Sequence, residues 1–187
     1  SQKYFAYGII TRDSIMIRRI YERLLQYRIL RANLPRCVAV VLGSAALSRE
    51  GLSRFCQLLN WSRSIGLSTL ILYVSDDQPR LCPILKEFLA SYPAQISLHP
   101  ADDVVLTETG GPLQVDISLG YGGKKEVVEA FRSILLKVEE GSIKGDGIDE
   151  KTIESHLRFS QKPDLVIRAG GKRLSDFMIW QAVYSEL

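Results

Sequence analysis

An open, mainly parallel α/β sheet flanked by helices, preceded by an amino-terminal amphipathic helix, is the fold class the sequence predicts. Three observations lead to it. Two short apolar runs rich in β-branched residues, CVAVVLG at 37–43 and TLILYV at 69–74, have the pattern of strands buried on both faces, hence central and parallel. Each is followed by a stretch of helical periodicity, the alternation that right-handed crossovers produce. A third apolar strand, Leu165 to Ile167, runs into a glycine turn and then an amphipathic stretch ending in Glu186.

The chain has 187 residues, 46% of them hydrophobic, enough to bury the core of one globular domain. The reading divides it into an amino-terminal helical segment, 1–33, and an α/β domain, 34–187. Net charge is +3, but residues 1–36 hold eight Lys or Arg against Asp13 and Glu22, which leaves the remainder at −3. Cys37, Cys56 and Cys82 are odd in number, lack metal-ligand spacing and sit in apolar contexts, which predicts buried free thiols. No apolar run approaches the ~20 residues of a membrane span, and no signal-peptide core opens the chain, so a cytoplasmic location is expected.

Taken in order, residues 14–31 predict a helix with Ser14 as cap and Ile17, Ile20, Tyr21, Leu24 and Tyr27 at helical spacing. Arg18, Arg19, Arg23, Arg28 and Arg31 crowd the rest of its surface. Such a helix either packs on the domain or lies on the anionic cytoplasmic face of a membrane, where burial and charge attraction add. After the strand at 37–43, a helix is expected from Ser48 to Ile65, with Leu52, Phe55, Cys56, Leu58 and Leu59 inward and Gly66 ending it. A strand at Thr69 to Val74, a helix around Leu81 to Ser91 and a strand at Gln95 to Leu98 follow. Residues 99–112 are polar and predict a loop; Asp76 and Asp77 read as turn formers. From Leu113 a strand leads through Tyr121-Gly122-Gly123 into a long helix with Val127, Val128, Phe131, Ile134, Leu135 and Val138 as its core stripe. Residues 141–147 form a polar loop, and Asp149 caps a helix to about Arg158. His99 and His156 are expected as surface or loop residues.

The final turn has the layout of a phosphate site. Arg168, Lys172, Arg173 and Ser175 converge beyond a strand end, and Gly170 and Gly171 leave the backbone open to an anion. Taken together, residues 163–187, PDLVIRAGGKRLSDFMIWQAVYSEL, resemble the carboxyl-terminal signature of the cis-prenyltransferases, the undecaprenyl and dehydrodolichyl diphosphate synthases: D-L-x-I-R-T-G-G-E-x-R-L/I-S-N/D-F-x-x-W-Q-x-x-Y-S/A-E. The stretch VDISLGYGGKKEVVEAFRSIL is similar to the same family's Tyr-Gly-Gly turn and following helix. By that resemblance Arg168, Arg173 and Ser175 hold the diphosphate of isopentenyl diphosphate, and Glu186 helps to hold Mg²⁺. This chain has Gly171-Lys172-Arg173 where the family has Gly-Gly-Glu-x-Arg, one residue shorter, which displaces Arg173 by about 3 Å along the chain.

At the first strand end the family reads H-V/I-A-I/V-I-M-D-G-N-x-R. Here Gly43, Ser44 and Ala45 replace the Asp-Gly-Asn that serves metal and substrate, and Leu47 replaces the arginine. After the second strand, Ser75 to Arg80 keeps only a serine and a Pro/Arg pair of a further family motif. The resemblance therefore implies the accessory, non-catalytic half of a two-component enzyme of the Nogo-B receptor type: no catalytic residues of its own, a homologous catalytic partner, Mg²⁺ in the complex, isoprenoid diphosphates as ligands, and polyprenyl diphosphate for lipid carriers as product. In such a complex the terminal helix, through Phe177, Trp180, Tyr184 and Leu187, is expected to touch the partner. An active homodimer and a non-catalytic prenyl or diphosphate-binding module are the alternatives.

Overall fold

The computed structural model describes residues 20–25, 27–29, 34–43, 49–74, 81–90, 92–100, 105–108, 110–168 and 176–186. The chain divides into two compact units, Ser1–Leu34 and Pro35–Leu187. In the first, residues 20–25 and 27–29 are helical, and Ile20, Tyr21, Leu24 and Tyr27 are exposed.

The second unit is built on a sheet of six strands among the described residues: β1 (Cys37–Leu42), β2 (Thr69–Val74), β3 (Gln95–Pro100), β4 (Val105–Glu108), β5 (Gln114–Leu119) and β6 (Leu165–Arg168). Their order is β4-β3-β5-β2-β1-β6. Five run parallel; β4 pairs antiparallel with β3 at the edge. The register follows from the apolar runs. Val38, Val40, Leu70, Leu72, Val115 and Ile117 point to one face, where they pack with Phe55, Leu59, Leu85 and Leu89. Cys37, Ala39, Val41, Ile71 and Tyr73 point to the other, against Tyr121, Phe159, Phe177 and Met178. Each Leu, Val or Phe so buried contributes roughly 1.5–3 kcal/mol, which is why β1 and β2 occupy interior positions of the sheet.

Helix α1 (Arg49–Ser64) presents Phe55, Leu59 and Ser62 inward at i, i+4 and i+7. It ends at Gly66, whose φ of +79° an L side chain rarely adopts. Helix α2 (Leu81–Leu89) accepts Pro83 because it falls in the first turn, and Leu85 and Leu89 anchor it. Helix α3 (Gly123–Glu139) crosses the opposite face, and α4 (Glu150–Glu154) is capped by Asp149, whose carboxylate accepts the Thr152 amide at 2.8 Å.

Several expectations need correction. Residues 99–112 are not all loop, since β4 lies within them and β3 extends to Pro100. His99 is accordingly not at the surface: it is 7% exposed, with Nε2 3.3 Å from Asp116 Oδ1 and its ring 4.6 Å from that of Phe159. His156 does lie in a loop, the turn after α4, half-buried with Nδ1 2.7 Å from the Thr152 carbonyl oxygen. The core stripe of α3 is narrower than the periodicity implies; Gly123, Glu126, Ala130 and Ile134 are buried, whereas Val128, Phe131 and Leu135 face solvent. Residues 177–184 form successive turns rather than a helix, interrupted at Met178 by a φ of 49°, and α4 stops at Glu154. Of the cysteines, all free, Cys37 is buried while Cys56 and Cys82 are half-buried.

Candidate functional site

The carboxyl ends of β1, β2, β5 and β6 open on one edge of the sheet. Register places Arg168 beside Val41, and Gly43 follows two residues beyond that level, so the two lie on adjacent strands at the same end. Both are exposed. A methyl group built on Gly43 meets nothing within 4 Å among the described residues. Arg168 shares the face of Val166, the side of the sheet that also holds Tyr73.

Next to this edge the Tyr121-Gly122-Gly123 turn docks against Asp176. Tyr73 donates its hydroxyl to Asp176 Oδ1 at 3.3 Å, and the Gly123 amide donates to the Asp176 carbonyl oxygen at 2.5 Å. The approach is close enough that a side chain on Gly122 would overlap the Asp176 carboxylate, and one on Gly123 would strike the Asp176 carbonyl and, at 3.0 Å, the Ile179 nitrogen. Phe177 then stacks on Tyr73 at 4.5 Å with the rings 12° apart. Behind the turn, Glu126 accepts the Phe159 amide at 2.7 Å and Gln181 Nε2 at 3.2 Å. Burial raises the Glu126 carboxyl above its ordinary range, although those donors oppose the shift. Tyr121 donates to Glu129 at 2.6 Å, and the Arg158 guanidinium, 3.2 Å from Glu129, lies 3.7 Å from the Tyr121 ring centroid. Burial also raises the Tyr121 phenol, so it stays protonated.

Sequence and fold comparisons place this geometry in a family. The undecaprenyl diphosphate synthase family model matches residues 91–187, more than half of the chain. The (2Z,6E)-farnesyl diphosphate synthase of Mycolicibacterium smegmatis is 30% identical, over 90% of this chain and 83% of its own. The chain belongs to the cis-prenyltransferase family. Among other cis-prenyltransferase relatives, the tritrans,polycis-undecaprenyl-diphosphate synthase (geranylgeranyl-diphosphate specific) of Methanocaldococcus jannaschii is 27% identical, over 94% of this chain and 80% of its own. Lavandulyl diphosphate synthase from Lavandula x intermedia, solved with dimethylallyl diphosphate, superposes with a TM-score of 0.66 at 26% identity, covering 81% of this chain and 85% of that one.

On this cis-prenyltransferase sheet the predicted site residues separate into three groups. Arg168 and Gly43 stand together at the carboxyl edge. Glu186 does not join them: its backbone forms a parallel bridge with Leu165, at the amino end of β6. Leu165 in turn pairs with Val38, so Glu186 and Gly43 are five residues apart along the strand direction, roughly 16 Å. Ser44, Ala45, Leu47, Asp76, Asp77, Arg173 and Ser175 lie outside the described residues. Cis-prenyltransferases are typically Mg²⁺-dependent, but no group of three His, Cys, Asp or Glu among the described residues has metal-binding geometry. Asp176, the carboxylate beside the Gly122-Gly123 turn, accepts the Tyr73 hydroxyl.

Tyr73, Glu126, Asp176 and Gln181 are the residues that sequence reasoning missed. A signal was available in the doubled glycine after Tyr121. Two adjacent positions without side chains imply that something approaches the backbone closely, and here it is Asp176.

Proposed function

We propose that the chain is an accessory subunit of a heteromeric cis-prenyltransferase that condenses isopentenyl diphosphate with an allylic diphosphate to make long-chain polyprenyl diphosphate. The observation that carries this reading is Gly43, exposed at the carboxyl end of β1 beside Arg168, where a side chain would fit and none is present. An allylic diphosphate ionises when the charge growing on its leaving group is neutralised, the chemistry that Mg²⁺ supplies. A glycine provides no ligand for that ion. What this chain's own residues offer is a grip: Arg168 can form two parallel hydrogen bonds to a diphosphate, with Arg173 and Ser175 following in sequence.

Two surfaces support partners. On α3, Val128, Phe131 and Leu135 make an exposed apolar stripe at i, i+3 and i+7, and Tyr184 is 95% exposed, features suited to a homologous catalytic chain. In the first unit Ile20, Leu24 and Tyr27 share one exposed face in a segment of strong positive charge, which suits peripheral contact with anionic lipid. Among the described residues no helix is long and apolar enough to cross a membrane.

An active enzyme in its own right is favoured by the 30% identity to a farnesyl diphosphate synthase across most of both chains. Incubation of the purified chain with Mg²⁺, an allylic primer and labelled isopentenyl diphosphate separates the two. Turnover that requires a homologous chain with the aspartate motif is the expected result; turnover by this chain alone overturns it. Affinity for isopentenyl diphosphate without stimulation of any partner would instead identify a binding module.

A further inference from the structure

On the exposed side of α3, apolar side chains stand among cations. Val128, Phe131, Leu135 and Leu136 are between 46% and 59% exposed. Lys124 heads this strip, four residues before Val128, and Arg132 lies four residues from both Val128 and Leu136, so all share one side of the helix. Among the described residues neither the Lys124 nor the Arg132 side chain has an ion pair or a hydrogen bond. Lys125, by contrast, is 4.0 Å from Glu129, a carboxylate that Tyr121 and Arg158 also engage. A cation in the first turn opposes the helix macrodipole, so Lys124 does not serve the stability of α3 itself. Ile179, 44% exposed, adds apolar surface at the start of the helix, where a methyl group on Gly123 would come within 3.1 Å of its Cγ1. At the other end the charge reverses: Glu139 and Glu140 are exposed, and residues 139–154 hold six carboxylates against Lys144 and Lys151. Those carboxylates would repel an anionic lipid surface, whereas a protein surface can match both signs.

We propose that the exposed side of α3 receives the homologous catalytic chain through an apolar patch bordered by carboxylates, which pair with Lys124 and Arg132. This rests on the accessory-subunit reading and adds what selects the partner. Eight residues of helix separate Lys124 from Arg132, a rise of roughly 12 Å, so the carboxylates they meet stand at comparable spacing. Apolar burial holds the contact. The charges steer association and exclude chains that lack acid at those points.

Surface plasmon resonance of the full chain against a purified homologous cis-prenyltransferase that carries the aspartate motif tests the inference, at about 50 and about 300 mM NaCl. The association rate is expected to fall about tenfold in the double variant K124E/R132E, and to fall for the unaltered chain at the higher salt, with dissociation little changed. The unfolding midpoint of the variant should equal or exceed that of the unaltered chain, because a carboxylate in the first turn suits the dipole. Association that ignores both the substitutions and the salt overturns the inference while the complex, and the accessory reading, stand. Binding to phosphatidylcholine–phosphatidylglycerol vesicles that only K124E/R132E loses, with the complex intact, overturns it in favour of lipid. A self-associated chain that the same variant splits overturns it in favour of a second copy. An unaltered chain that binds no such enzyme overturns the accessory reading and this inference together.

Discussion

Glu126 accepts the backbone N–H of Phe159 at 2.7 Å from a site only 2% exposed, so one carboxylate closes α3 onto the segment that follows α4. Its second oxygen accepts Gln181 Nε2, so both partners are donors and the group serves purely as an acceptor. Burial nevertheless holds its carboxyl above the ordinary glutamate range. The folded chain then binds this proton more tightly than the unfolded chain does. Its contribution to stability is therefore greatest below the unfolded value of about 4.5 and declines as pH rises through the folded value.

Glu126→Gln is expected to remove that decline and to cost about 1–3 kcal/mol, because an amide turns a donor toward one of the two donors already present. Urea unfolding between pH 4 and 7 measures both effects. Asp149 and Glu154 act in the opposite sense. Hydrogen bonds from Thr152 and Lys162 hold their carboxyls below the usual range, so the stability they contribute is lost as pH falls through their depressed values.

Phe177→Ala should destabilise the domain by roughly 3–5 kcal/mol, since the ring is buried between Tyr73 and the edge of Phe159, 6.1 Å away. Denaturant midpoints read the loss. A change below about 1 kcal/mol would show that this packing is absent in solution.

Substituting Phe131→Asp together with Leu135→Asp places charges on the exposed stripe of α3 and should leave unfolding unchanged within about 0.5 kcal/mol. Co-purification with a homologous catalytic chain should be lost. Retention of the complex would move the contact to another surface.

Arg168→Ala should reduce affinity for isopentenyl diphosphate by about 10- to 100-fold, the range of a charge-assisted hydrogen bond. Titration calorimetry checks it.

The strands and their order of burial were legible because continuous apolar runs such as Val38 to Leu42 can satisfy both faces only at the centre of a sheet. Periodicity was less informative for α3. The spacing of Val128, Phe131 and Leu135 matches an inward stripe, and a single chain's pattern does not distinguish a face turned to its own core from one turned outward. His99 misled because its burial depends on Asp116 and Phe159, residues 17 and 60 positions away. The basic glycine turn was readable as chemistry; its attachment through Asp176 to Tyr73, 103 residues earlier, was not, since no local pattern encodes a contact of that span.

Cys37 opens β1, paired on both sides within the sheet, and burial, reinforced by Asp164 and Asp116, pushes its thiol up to about 12. At neutral pH almost none of it is thiolate, so alkylating reagents should pass it over while β1 remains paired. Its labelling thus times the parting of β1 from β2 and β6, a clock for sheet opening that the chain carries without any added probe.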